Sequence, residues 1–156
     1  MAETGYAGRN VLVFGAAGAL GGGLAAAFAA AGASVTGADR HLPKDGRRLD
    51  GVRYHQVDVL DDAALTNLFR EEQVPWAVVN TIGGYAPHTR LDALDQDELT
   101  TQLNLNLVSA ALVTKHALAV LRRAGEGRIV HTASRAADPE PGAPPEIRKA
   151  PDAGQG

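Results

Sequence analysis

Three glycines spaced three residues apart, Gly15, Gly18 and Gly21, separate a short apolar run from a long alanine-rich one. The run before them, Asn10 to Phe14, is rich in Val and Leu, as a strand buried on both faces is. The stretch after them, Gly18 to Ala31, is mostly Ala and Leu, and Gly32 follows where a helix C-terminal cap belongs. Strand, glycine turn and helix in that order restrict the fold. The chain must leave a strand, reverse in a few residues and enter a helix with no Cβ in the way. Such a turn also presents free backbone N–H groups and the positive end of a helix dipole, which together suit a dinucleotide pyrophosphate. Gly15, Gly18 and Gly21, with Ala17 and Leu20 between them, are therefore candidate phosphate-binding positions.

The rest of the chain repeats the alternation. Ala33 to Ala38, Arg53 to Val57, Trp76 to Asn80 and Gly127 to Thr132 read as four further strands. Asp61 is placed to cap a helix through Glu72, with Pro75 barring its continuation. Asp95 with Glu98 opens a helix to about Arg123, 29 residues in all. Its apolar residues, among them Leu99, Leu103, Leu107, Val113, Ala117, Leu118 and Leu121, form more than one stripe. The helix is therefore expected to be covered by the sheet and by something else, and self-association through it is one expectation. Alternating strands and helices with right-handed crossovers predict an α/β fold, a doubly wound parallel sheet in the order 3-2-1-4-5.

Asp39 ends the second strand, 18 residues after Gly21. A carboxylate there can accept from both adenine-ribose hydroxyls, which points to NAD(H). A 2′-phosphate would meet a like charge, softened by the adjacent Arg40, so NADP(H) is the lesser expectation.

Composition narrows the function classes. Fifteen Lys and Arg against 18 Asp and Glu leave a net charge of −3, with no basic stripe for nucleic acid. Gly and charged residues interrupt the apolar stretches, so no membrane helix is expected. Met1 to Arg9 lacks the order of a signal peptide, and a cytoplasmic setting follows as the expectation. The absence of Cys excludes thiolate chemistry and Cys-ligated zinc, and the five histidines (41, 55, 88, 116 and 131) show no zinc-ligand spacing.

These motifs resemble the short-chain dehydrogenase/reductase family over roughly Arg9 to Ala137. The glycine spacing is closer to the family's extended branch and to the dihydropteridine reductases than to the usual Thr-Gly-x-x-x-Gly-x-Gly. Val57-Asp58-Val59 resembles the pair after the third strand, which implies that Asp58 meets the adenine, with Val59 beside it. Asn80-Thr81-Ile82-Gly83 matches the family's Asn-Asn-Ala-Gly at Asn80 and Gly83. Asn106 falls where the family keeps a helix-distorting Asn of its proton relay, and Ser134 aligns with the catalytic Ser. The resemblance implies hydride transfer between a nicotinamide and a small carbonyl, imine or pterin-like substrate. A methyltransferase is also doubly wound, but the glycine spacing, Asp58 and Asn106 favour the dehydrogenase.

One departure bears on chemistry. The family's acid/base is the Tyr of Tyr-x-x-x-Lys, about 13 residues after the Ser, where this chain has Ile147 and, four later, Pro151. Its tyrosines are Tyr6, Tyr54 and Tyr85, so none follows Ser134. Residues 138–156 include five prolines and one large apolar residue, Ile147, and read as a disordered tail after a domain over residues 1–137. That junction resembles a truncation or a change of reading frame, which implies impaired catalysis. The alternatives are a non-enzymatic dinucleotide-binding or interaction module and an unstable fragment.

Overall fold

The structure, a computed structural model, describes residues 5–44, 46–84 and 91–133. Strand β1 (Asn10–Phe14) is the centre of the sheet, flanked by β2 (Ser34–Asp39) and β4 (Ala77–Asn80). Outside these lie β3 (Arg53–Gln56) and β5 (Arg128–His131), giving five parallel strands in the expected order β3-β2-β1-β4-β5. The pleat explains why β1 is apolar throughout. Val11 and Val13 pack with Ala25 of helix α1 (Ala19–Ala30) on one face. Leu12 and Phe14 pack on the other face with Leu65 and Leu68 of α2 (Asp62–Glu71) and with Val113 and Ala117. A strand sandwiched between helix layers can afford no polar alternation.

Helix ends follow the chain's own chemistry. Gly32 takes φ +90° just past α1, where a Cβ would be strained. The Asp61 carboxylate accepts from the N–H groups of Ala63 (2.9 Å) and Ala64 (3.1 Å) and starts α2. The Asp95 carboxylate accepts from Glu98 N (2.7 Å) and starts α3 (Gln96–Leu103). This helix runs through a wider π turn, Asn104–Val108, into α4 (Ser109–Ala124). Lys115 Nζ (2.5 Å) and His116 Nε2 (2.9 Å) of α4 both reach the Asp62 carboxylate. Chiefly through the Lys115 hydrogen bond, they hold its carboxyl below the usual value. This tie of α4 to α2 is present above the ordinary carboxylate range and is lost as pH falls through the lowered value.

One expectation needs correction. Gln96–Ala124 forms one helical stretch that is long and apolar enough to cross a membrane by length and composition. Its apolar stretch carries few charges, because Lys115 is isolated and the paired arginines wait until 122 and 123. The same helix is expected to be covered by the sheet and by something else, and the sheet covers one side of it. Val113, Ala117, Val120 and Leu121 do face the core, but Leu99, Leu103, Leu107 and Leu118 are exposed among the described residues. The expected tail, 138–156, lies outside those residues.

Gly37 of β2 is where sheet and turn touch, since a Cβ there would lie 2.7 Å from the Ala16 Cβ and 2.9 Å from the Tyr54 ring. Gly37→Ala is expected to destabilise the protein by about 1–3 kcal/mol in urea unfolding, the usual cost of overpacking. Gly23, in α1 with open space around it, should behave oppositely. Gly23→Ala is expected to stabilise by about 1 kcal/mol through helix propensity alone.

Candidate functional site

The turn between β1 and α1 is held by its own backbone. Gly15 takes φ +81° and donates to Ala38 O at 2.9 Å, while Gly18 N donates to Gly15 O at 3.0 Å. Gly21 lies against that same Gly15 carbonyl, where a Cβ would collide with backbone and with Thr81 Oγ1. Thr81 Oγ1 is fixed by donating to Phe14 O at 2.8 Å. Helix α1 therefore begins hard against the strand it leaves. Its cap residue, Gly18, supplies no side-chain hydrogen bond, and no acidic residue lies in its first turn. The N–H groups of Ala19, Leu20 and Gly21 consequently have no acceptor among the described residues. An uncapped helix start of this kind is a set of donors arranged for an anion.

Asp39 faces this turn from the end of β2. Its Oδ2 accepts from Ala17 N at 3.0 Å and its Oδ1 from His41 N at 3.1 Å. The carboxylate is thereby fixed, with lone pairs left for further donors. Asp39, Arg40 and His41 form one wall of a cavity of about 260 Å³ whose floor is Gly15 and Gly18. Val57, Asp58, Val59 and Leu60 line it from the chain leaving β3. Asp58 braces that segment by accepting from Leu60 N at 2.9 Å.

The far wall is the chain after β4, Thr81 to Gly83, with Asn104, Leu105 and Ser109 of the π turn and α4. Asn106 clamps this wall. Its Oδ1 accepts from Gly84 N (2.9 Å), and its Nδ2 donates to Gly84 O (2.9 Å) and to Gln102 O (3.0 Å). The cavity thus sits at the carboxyl ends of the strands, where β1 separates β2 from β4 and the order of the sheet reverses. That is the usual ligand crevice of open α/β sheets.

Residues 15–142 match the family described as enoyl-(acyl carrier protein) reductase. A structure from Burkholderia xenovorans assigned to the short-chain dehydrogenases/reductases superimposes with a TM-score of 0.78 at 31% identity, covering 88% of this chain and 58% of that one. The chain belongs to the short-chain dehydrogenase/reductase family. A short-chain dehydrogenase from Leptospira borgpetersenii with bound NAD+ has the same fold, at 19% identity and a TM-score of 0.75, over 83% of this chain and 52% of that one. So has an NADH-dependent reductase complexed with NAD, at 22% identity and a TM-score of 0.77, over 86% and 63%. The chain therefore spans little more than half the length of these structures. A comparison with curated proteins finds no match.

In this cavity the structure brings together Gly15, Gly18, Asp39, Arg40, Asp58, Val59 and Gly83. Ala17 lines a neighbouring cavity, and Gly21 is buried behind the turn. Leu20 is 56% exposed, and neither it nor Asn80 lines the main cavity. Asn80 is buried, and its Oδ1 accepts from Ile82 N at 3.1 Å. Asn106, in the π turn, is exposed yet hydrogen-bonded through both ends of its amide. Ser134 and Tyr85 lie outside the described residues. His55 and His116 do meet carboxylates, Glu72 and Asp62, but no group of three metal-ligating side chains forms among the described residues.

His41, Leu60, Thr81, Ile82, Asn104, Leu105 and Ser109 also line the cavity. Thr81 and Ile82 were within reach of sequence reasoning, since they directly follow a strand already assigned to the sheet centre. Asn106→Ala is expected to release Gly84 without unfolding the protein. Amide exchange at Gly84 should quicken about tenfold, as loss of a hydrogen bond of about 1–1.5 kcal/mol implies. Unchanged exchange would show that the clamp does not hold the wall.

Proposed function

We propose that this chain binds a nicotinamide dinucleotide, NAD(H) in preference to NADP(H), as the cofactor-binding part of a short-chain oxidoreductase. The observation that carries the reading is the open start of α1, whose N–H groups lack an acceptor while Asp39 stands fixed across the turn. In this reading the pyrophosphate takes the N–H groups of Ala19 to Gly21. The adenine ribose donates to Asp39, and the adenine lies against Asp58 and Val59. Thr81 to Gly83 form the wall for the nicotinamide end, which supplies or accepts hydride when bound. The NAD+ and NAD complexes of the two distant structures support the same ligand class. A soluble dinucleotide as ligand also fits a cytoplasmic setting.

The substrate class in this proposal is a small carbonyl or imine. Reduction of such a group needs a proton donor beside the hydride path. Tyr6 packs edge-on against Phe28 and Trp76, and Tyr54 accepts from Leu49 N at 3.4 Å, so neither stands at the cavity. With no Tyr after Ser134 in the sequence, this chain alone is proposed to bind dinucleotide far better than it turns over substrate.

A second reading rests on the exposed Leu99, Leu103, Leu107 and Leu118. We propose that this side of the long helix packs on a second copy of the chain. Leu107→Glu should then shift the protein toward monomer in sedimentation while NADH binding persists.

Fluorescence titration with NADH and then NADPH tests the main proposal. Saturable binding that favours NADH is expected. Asp39→Ala should weaken NADH by about 1–3 kcal/mol, the cost of charge-assisted hydrogen bonds left unmade, and leave NADPH similar or better. Gly18→Val should abolish both by filling the approach to the turn, with the circular dichroism spectrum retained. Equal losses for the two cofactors in Asp39→Ala would remove Asp39 from the ribose.

A further inference from the structure

We propose that His131 is a positioning residue of the cofactor pocket, acting through Asn80 on the wall after β4. The inference rests on the dinucleotide reading for its consequence, though not for its geometry. Asn80 and His131 are direct cross-strand partners at the ends of β4 and β5. Asn80 Nδ2 lies 3.2 Å from His131 Nδ1, and His131 Nε2 lies 2.8 Å from Thr114 Oγ1 of α4. At the other end, Asn80 Oδ1 accepts from Ile82 N at 3.1 Å. Ile82 and Gly83 line the cavity, whereas His131 does not.

Donor and acceptor arithmetic fixes every proton in this chain. The Ile82 N–H can only donate, so the facing atom of Asn80 is its carbonyl oxygen and the other is its NH2. That NH2 must donate, so His131 Nδ1 carries a lone pair. A neutral imidazole then bears its proton on Nε2. The Thr114 hydroxyl donates to Ala110 O at 2.7 Å, which leaves its oxygen free to accept that proton. The two ends give the same answer independently. Asn80 is 2% exposed, so its amide has no bulk water to turn to. Loss of the acceptor at His131 lets the Asn80 amide rotate, and the Ile82 N–H loses the partner that fixes the pocket wall. Asn106 holds Gly84 from the other side, so the short wall is anchored at both ends.

The experiment compares wild type with His131→Asn and His131→Leu. The two replacements have nearly the same shape and both abandon Thr114, but only Asn offers an acceptor at the δ position. Amide exchange at Ile82 is expected to stay within about twofold of wild type in His131→Asn and to quicken about tenfold in His131→Leu. The NADH dissociation constant should follow the same order, with melting temperatures of the two variants alike. Equal exchange at Ile82 in the two variants would overturn the proposal, as would a loss that tracks melting temperature. Should either variant fail to fold, long-range proton–nitrogen spectra of the wild type decide. The Nε2–H tautomer of His131 supports the proposal and the Nδ1–H tautomer overturns it. If wild type binds no NADH, the dinucleotide reading fails, while the Ile82 exchange and the tautomer still judge the clasp.

Discussion

The contact between Gly21 and the Gly15 carbonyl is the constraint on which the rest of the site depends. It lets α1 begin where β1 ends, so the first N–H groups of the helix open onto the carboxyl ends of the strands. A side chain at either glycine would push helix from strand and displace Thr81, whose hydroxyl is tied to Phe14 O. Because Phe14 also belongs to the core beneath α2 and α4, the turn, the far wall and the packed interior share one anchor. Binding geometry and fold stability are coupled here.

Asp39 shows how one side chain can serve two purposes. As the last residue of β2 it pairs with Gln56, and its carboxylate satisfies Ala17 N in the turn. An acidic group held this way has little freedom to leave, so its charge is a fixed feature of the cavity wall. That charge welcomes hydroxyl donors and opposes a phosphate, and fixing it beforehand lowers the entropy a ligand must remove. Arg40 and His41 line the same wall.

Much of this was legible in the residues. The strand order followed from alternation and crossover handedness, and Asp61, Asp95 and Gly32 marked helix ends through chemistry confined to a few neighbours. That Gly15, Gly18 and Asp39 would lie together followed from similarly local reasoning, each being at a fixed step from a strand end, whereas Asp58 was pointed to by the family resemblance. Asn80 was less so. Its side chain serves a cross-strand partner 51 positions away, and no local pattern announces that. Asn104, Leu105 and Ser109 were not read as wall residues, although the resemblance marked Asn106 beside them as a distortion of the helix. The π turn changes the helical period within the helix, so a regular 3.6-residue count assigns the following side chains to the wrong face.

The long helix joins these threads. Its buried stripe, Val113, Ala117, Val120 and Leu121, is bound to the sheet, and its π turn supplies a wall of the cavity. Of its exposed leucines, 99 and 103 lie just before that same π turn and 107 lies within it. Whatever packs there therefore bears on the backbone that presents Asn106 to Gly84. A partner on this face would reach the pocket through a single turn of helix, with no need for a longer path. By contrast, the hydrogen bonds of Gly15 and of the Asp39 carboxylate join the turn to the end of β2 and the residues just after it. The clamp of Asn106 on Gly84 therefore touches the far wall more directly than it touches the turn.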